Sequence, residues 1–444
     1  MSLACAAWML LVTVGQRPAA PPEPFVLPNG LRVVMRERHA NPLVAVDLWV
    51  RAGAREEQEG EVGCAHFLEH TLFKGTRTRG PGEADLEMEN LGATLDAATG
   101  PDAAHYSATV ARAHLDAALA VLADVVRNAT LPDAEVERER GVILDELAQH
   151  DAAPSARLID LLYAAAFDAH PYRRSPGGTA AAIRARSRDT LAAFYARTYA
   201  PDRCTLALAG DLTPEQARAA AQRAFGDWHA PGISKNEGSG IRAISAPEET
   251  PLRRVRIRME MAAPRVGMAF RAPAAADAVM ACAAQVIAAL LGDHNAGRLS
   301  ALADTDIEAS ARYTPRRDPS LFVLTASPSA HASGQDAAAQ LAGLETALIS
   351  ALNGLQTAPP GPAEIATAKR AVLGRLLFET ETNGGLAQAI GYADIVGGDT
   401  PEAFRARLQR LTRADILRCL QSFLNPTNRI TVELVPASTT GAAR

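Results

Sequence analysis

The 444-residue sequence has no run of basic residues, no C-x-x-C pair and no apolar stretch approaching a membrane-spanning helix. Each absence removes a class of function. Forty-five Lys and Arg against 50 Asp and Glu give a formal net charge of −5. Phosphate backbones are held by clustered Lys and Arg, so nucleic acid is not an expected partner. The cysteines Cys5, Cys64, Cys204, Cys282 and Cys419 are odd in number and widely spaced. They form neither a disulfide framework nor a thiolate metal site. Cys64, two residues before His66, reads as a small buried apolar residue. The apolar stretch from Leu3 to Val14 is shorter than the roughly 20 residues a bilayer demands. Followed by a Pro/Ala-rich segment, it suits the apolar part of a secretory signal, although the usual preceding basic residues are missing. No stable membrane insertion is expected. A periplasmic location is the first expectation and a cytoplasmic one the alternative.

What remains is globular: 48% hydrophobic and 21% charged residues, long enough for two or three domains. From Pro24 strands and helices alternate. "FVLPNGLRVVMRE" reads as two short strands around an Asn-Gly turn, and "LVAVDLWVRAG" as a strand apolar on both faces. "GATLDAATGPDAAHYSATV" has hairpin periodicity. "AHLDAALAVLADVVRNA" and "PDAEVERERGVILDELAQHD" are helices. This order predicts an α+β fold.

An internal repeat is visible. "SRDTLAAFYARTYAPDRCTLAL" from Ser187 and "TRADILRCLQSFLNPTNRITVEL" from Thr412 align at an offset of 225 (412 − 187). Each reads as an N-cap, an amphipathic helix, a proline stop and a strand. We expect two homologous domains, each a mostly antiparallel sheet packed with helices, joined by a hinge linker. The expected divisions are a leader at 1–23, a metal-binding domain at 24–228, a Gly/Ser/Pro-rich linker at 229–251 and a second domain at 252–437.

The chemistry concentrates in "HFLEH", residues 66–70. On a helix, His66 and His70 stack one turn apart on one face, and Glu69 borders that face. Two neutral imidazoles can hold one zinc ion while a neighbouring carboxylate moves a proton. Catalytic zinc takes a third protein ligand. "ERERGVILDELAQH" offers Glu137, Glu139, Asp145, Glu146 and His150, and spacing alone does not choose among them.

The ordered stretches "NGLRVV", "GCAHFLEHTLFKGT", "LGATLDAATGPD", "ERGVILDEL", "HPYRRSPGG" and "YAPDRCTLALAGDL" resemble the pitrilysin-type inverzincin zinc metallopeptidases, in the branch of the mitochondrial processing peptidase and its bacterial relatives. The likeness is strong over about residues 25–212 and weaker beyond. It implies a third ligand 76 residues after the second His, which is Glu146 (146 − 70 = 76), and one Zn2+ per chain. It makes Glu139 a residue that orients a ligand, and Glu69 the general base. It implies peptide substrates bound as an added strand along the segment after Gly92. There Asp96-Ala97 stands where relatives carry Asn-Ala, favouring basic substrates, and Phe67 is a candidate pocket residue.

The resemblance also implies an Arg and a Tyr, seven apart, from the C-terminal half. In "GRLSALADTDIEASARYTP" those places fall on Asp304 and Ala311, or on Asp306 and Tyr313. Arg312 and Tyr313 are the only evident substitutes. We therefore expect the zinc-bearing subunit of a heterodimer whose related partner supplies the Arg and Tyr. The alternatives are a non-catalytic assembly or peptide-binding subunit and a self-sufficient homodimeric peptidase.

Overall fold

A computed structural model describes residues 23–229, 252–292, 297–329 and 336–437. The expected leader (but for Glu23) and linker (but for His229) lie outside these residues. Two sheets organise the described chain, and both are built in the same way. The first contains β1 (Phe25–Val26), β2 (Arg32–Glu37), β3 (Leu43–Val50), β4 (Asp96–Thr99), β5 (Ala104–Ala111) and β6 (Cys204–Gly210), in the order β1-β2-β6-β3-β5-β4. The second contains β7 (Arg253–Met259), β8 (Arg265–Ala272), β9 (Ile307–Tyr313), β10 (Ser320–Pro328) and β11 (Ile430–Pro436), in the order β7-β11-β8-β10-β9. Apart from β1 the orders are identical. Each sheet has one parallel pair, β2–β6 in one and β7–β11 in the other; the remaining pairs are antiparallel.

The repeat seen in the sequence closes each sheet. The helices Arg188–Thr198 and Arg413–Phe423 sit at the offset of 225, capped by Ser187 and Thr412 through their side-chain oxygens. The 3-10 turns Pro201–Arg203 and Pro426–Asn428 follow at the same offset and lead into β6 and β11.

The halves exchange a helix. Pro154–Ala166, from the N-terminal half, lays Leu158, Leu162 and Ala166 on Ala269, Leu321 and Val432 of the second sheet. Asn383–Val396, from the C-terminal half, lays Leu386, Ala387 and Ile390 on Val34, Ala45 and Ala207 of the first. Each fully buried aliphatic side chain contributes about 1.5–3 kcal/mol, so these crossed contacts couple the halves strongly. A Cβ on Gly391 would come within 2.3 Å of the Trp49 ring, which is why the second of these helices carries glycine at its closest approach.

A polar latch adds to the junction. Asp318, in the β9–β10 loop, accepts from Arg55 Nε at 2.6 Å and His170 Nε2 at 3.0 Å. Asp102 accepts from the Tyr172 hydroxyl at 2.6 Å and from the Arg317 amide at 3.2 Å. Among the described residues, no helix is long and apolar enough to cross a membrane.

Candidate metal centre

The motif occupies the helix Cys64–Thr71. Its first turn is fixed from outside. Gly63, the N-cap, has φ +87°, and a Cβ there would lie 2.6 Å from Ile183 Cδ1, so both conformation and space call for glycine. The carboxyl oxygen of Glu57 then accepts the Ala65 amide at 2.9 Å, satisfying one of the free donors of the helix N-terminus. Cys64, Ala65, Phe67, Leu68 and Thr71 face the core, leaving His66, Glu69 and His70 on the opposite, partly open face.

The two imidazoles meet edge to face, with centroids 4.8 Å apart and planes at 87°. Their Nε2 atoms are 3.3 Å from each other. The helix Asp133–Ala152 brings two carboxylates to this pair from different sides. Glu146 Oε2 lies 3.3 Å from His70 Nε2 and 3.7 Å from His66 Nε2. Glu139 Oε2 lies 3.3 Å from the other ring nitrogen, His70 Nδ1. Of the five candidates left open by spacing, Glu146 therefore shares the Nε2 side and Glu139 backs the ring. Glu137 is bound instead by Arg140, and His150 by Asp160.

These positions fit zinc. A tetrahedral ion with bonds of about 2.0–2.1 Å needs ligand atoms about 3.3–3.4 Å apart, close to the three separations found. Protonation also suits the role. Burial, and then the neighbouring His70, push the His66 pKa down to about 4, leaving a neutral imidazole with a lone pair to offer. Glu146 is 47% exposed, whereas Glu139 is 7% exposed, so the centre opens to solvent on the Glu146 side.

Glu69 has no hydrogen bond or ion pair among the described residues, so its carboxylate is uncommitted. Beneath it, the Tyr106 and Tyr199 hydroxyls bond each other at 2.6 Å. Burial raises both phenol pKa values and the nearby Glu69 charge adds to the effect, so both hydroxyls keep their protons near neutral pH.

Asp96 and Ala97 lie on β4, the edge strand of the first sheet, with Asp96 exposed. Phe67 is fully buried, with the Arg140 guanidinium 5.3 Å from its ring centroid. In the C-terminal half, Ala311 is buried and the side chain of Asp304 lies outside the described residues. Tyr313 is only 8% exposed and donates its hydroxyl to Pro273 O at 2.8 Å, a bond that holds it in the second core. Arg312 already has an interaction of its own.

Two contributors escape the sequence reading. Lys74 pairs with Glu139 Oε1 at 3.2 Å, extending the His70–Glu139 contact by one more residue. Its signal was present: Lys74 is four residues after His70, one turn further along. Glu57 gave no local signal, because it reaches the helix from a preceding turn.

Glu57 also yields a pH prediction. Burial is the main cause that raises its pKa from 4.5 to about 7, against the opposing amides of Ala65 and Gly63. The folded chain therefore keeps a proton that the unfolded chain releases. Its stability contribution is complete below pH 4.5 and is lost as the pH rises through about 7. Glu57→Gln, which stays neutral and still accepts from Ala65, is expected to melt above the wild type at pH 8. The gain is up to about 3 kcal/mol and vanishes towards acid pH. Thermal unfolding at several pH values reads this directly, and a Tm at pH 8 no higher than wild type contradicts it.

A family model described as Insulinase (Peptidase family M16) matches residues 32–180, and one described as Peptidase M16 inactive domain matches residues 186–372. An uncharacterized zinc protease of Mycobacterium leprae is 38% identical over 200 residues, 45% of this chain and 45% of the relative. The mitochondrial-processing peptidase subunit beta of Rattus norvegicus is 38% identical over 201 residues, 45% of this chain and 41% of the relative. The chain thus spans less than half the length of these curated relatives. A solved protease from Helicobacter pylori shares the fold with a TM-score of 0.86 at 22% identity, covering 94% of this chain and 100% of that one.

Proposed function

This chain belongs to the insulinase family of peptidases, M16, and on that premise we propose that it is the zinc-bearing subunit of a metalloendopeptidase that hydrolyses unfolded peptides. The observation carrying this reading is the convergence of His66, His70 and Glu146 from two helices, within 4.8 Å of one another. A scaffold subunit has no physical need for such a cluster.

His66 and His70 would hold zinc through Nε2 and Glu146 through a carboxylate oxygen. When bound, zinc supplies Lewis acidity that polarises a peptide carbonyl and acidifies a water molecule. Glu69 takes the proton of the attacking water on its carboxylate and passes it to the departing amine nitrogen. Glu139 accepts from His70 Nδ1 and so fixes which ring nitrogen carries the proton, while Lys74 holds Glu139 in place.

The substrate binds as an extended strand along the free edge of β4. Its backbone pairs with the sheet, and Asp96 favours basic side chains. Folded proteins cannot offer such a strand. The Arg and Tyr that would steady the substrate carbonyl come from a related partner subunit, since Tyr313 is held by Pro273 O.

The test is cleavage of an unfolded basic peptide beside a compact folded protein of similar composition, with zinc present and after chelation. The expected result is zinc-dependent cleavage of the peptide alone. Cleavage that survives chelation, or equal cleavage of the folded protein, contradicts the proposal.

A further inference from the structure

On the face of the first sheet that receives the helix Asn383–Val396 lies a cavity of about 610 Å³ that uses none of the metal-centre residues. Arg32, Val34 and Arg36 of β2 form one wall, Arg51 another, and Asp394 with the Gly397-Gly398 turn closes the third. Its size is that of a small-molecule site, and three guanidinium groups line it.

The charges do not balance. Arg32 Nε is paired with Asp394 Oδ1 at 2.6 Å, and the other oxygen of Asp394 accepts from Thr205 at 2.8 Å. Arg36 makes a bidentate pair with Glu402, both contacts at 2.8 Å. The nearby Glu56 carboxylate is taken by Arg55 at 2.9 Å and Arg203 at 2.7 Å, with Arg317 at 4.0 Å. Arg51 is left over. Its side chain has no hydrogen bond or ion pair among the described residues, and its Nε is buried without a partner. Glu23, at the mouth, is exposed and makes no bond to it.

With its Nε buried and unpartnered, this partly exposed guanidinium is incompletely satisfied, and planar oxyanions are the groups that satisfy it best, through two parallel hydrogen bonds. We propose that this cavity is a binding site for a small oxyanion-bearing ligand, carboxylate or phosphate, with Arg51 as its principal contact and Arg36 as a latent second. Burial first, and then repulsion from Arg317, lower the Arg51 pKa, and the attraction of the already paired Asp394 offsets this only in part.

The test uses the full chain without peptide substrate, so its outcome is independent of the proposed peptidase activity. Inorganic phosphate and succinate are each titrated by calorimetry and thermal melting at constant ionic strength, against chloride. The expected result is saturable binding of at least one, which also tells phosphate from carboxylate. Arg51→Gln weakens it at least tenfold. Arg51→Lys, which keeps the charge but not the planar fork, binds more weakly than wild type and more tightly than Arg51→Gln. Glu402→Gln, which frees Arg36, tightens binding and decides the matter should Arg51→Gln not fold. No response beyond chloride, equal binding by wild type and Arg51→Gln, or unchanged affinity in Glu402→Gln overturns the proposal.

Discussion

Glu69→Gln lowers peptide turnover by about 10²- to 10⁴-fold, the usual contribution of a positioned general acid–base group, while zinc content and KM stay near wild type. The amide matches the carboxylate in shape and cannot accept the proton of the attacking water. The variant should keep its metal because His66, His70 and Glu146 supply the converging atoms, and Glu69 is not among them. It should keep its fold because, among the described residues, Glu69 makes no hydrogen bond or ion pair that the substitution would break. The split between turnover and metal content identifies the role. Lost zinc would make Glu69 a ligand, and retained turnover would remove it from the chemistry.

The second large effect concerns the Arg and Tyr that the resemblance leads one to expect from the C-terminal half. A purified, verified monomer of this chain is expected to bind zinc and turn over slowly. Adding a related subunit that bears an Arg and a Tyr seven apart should raise kcat by about 10²- to 10³-fold, the worth of one donor aimed at a developing oxyanion. The reason is local. In one placement the expected tyrosine falls on buried Ala311; in the other it falls on Tyr313, which gives its hydrogen to Pro273 O. Releasing that hydroxyl would leave a buried carbonyl unpaired, at a cost of about 1–3 kcal/mol. Tyr313→Phe should therefore leave the assembled enzyme's turnover intact. Full activity in the lone monomer, or loss of activity in Tyr313→Phe without loss of stability, contradicts this division of labour.

The metal helix was legible because its chemistry is written at helical spacing: His66 and His70 one turn apart, with apolar Phe67 and Leu68 between them facing the core. Glu139 and Glu146 were legible as one face of a helix. Their separate roles were not, since these depend on which nitrogen of His70 each carboxylate meets, a matter of how two helices cross. Only the family resemblance singled out Glu146. The repeat announced itself in the last helix and strand of each half, where capping and proline residues are tied to local geometry. The matching strand orders left no such mark, because pairing between distant segments is chosen by the assembled core. The exchanged helices are the clearest case. Leu158 and Leu162, or Leu386 and Ile390, declare an apolar stripe, but nothing in the stripe says that the receiving sheet belongs to the other half. Arg51 reads as an ordinary polar residue after a strand; that its side chain has no hydrogen bond or ion pair among the described residues shows only once Asp394, Glu402 and Glu56 have been claimed by others.

The whole account depends on whether one divalent ion joins the two helices. Metal analysis of the purified chain and its Glu146→Ala variant asks this directly. The account predicts about one zinc per wild-type chain and loss of most of it in Glu146→Ala, with the fold retained. A wild-type chain that takes up no zinc, or a Glu146→Ala variant that holds it as tightly as wild type, would contradict it.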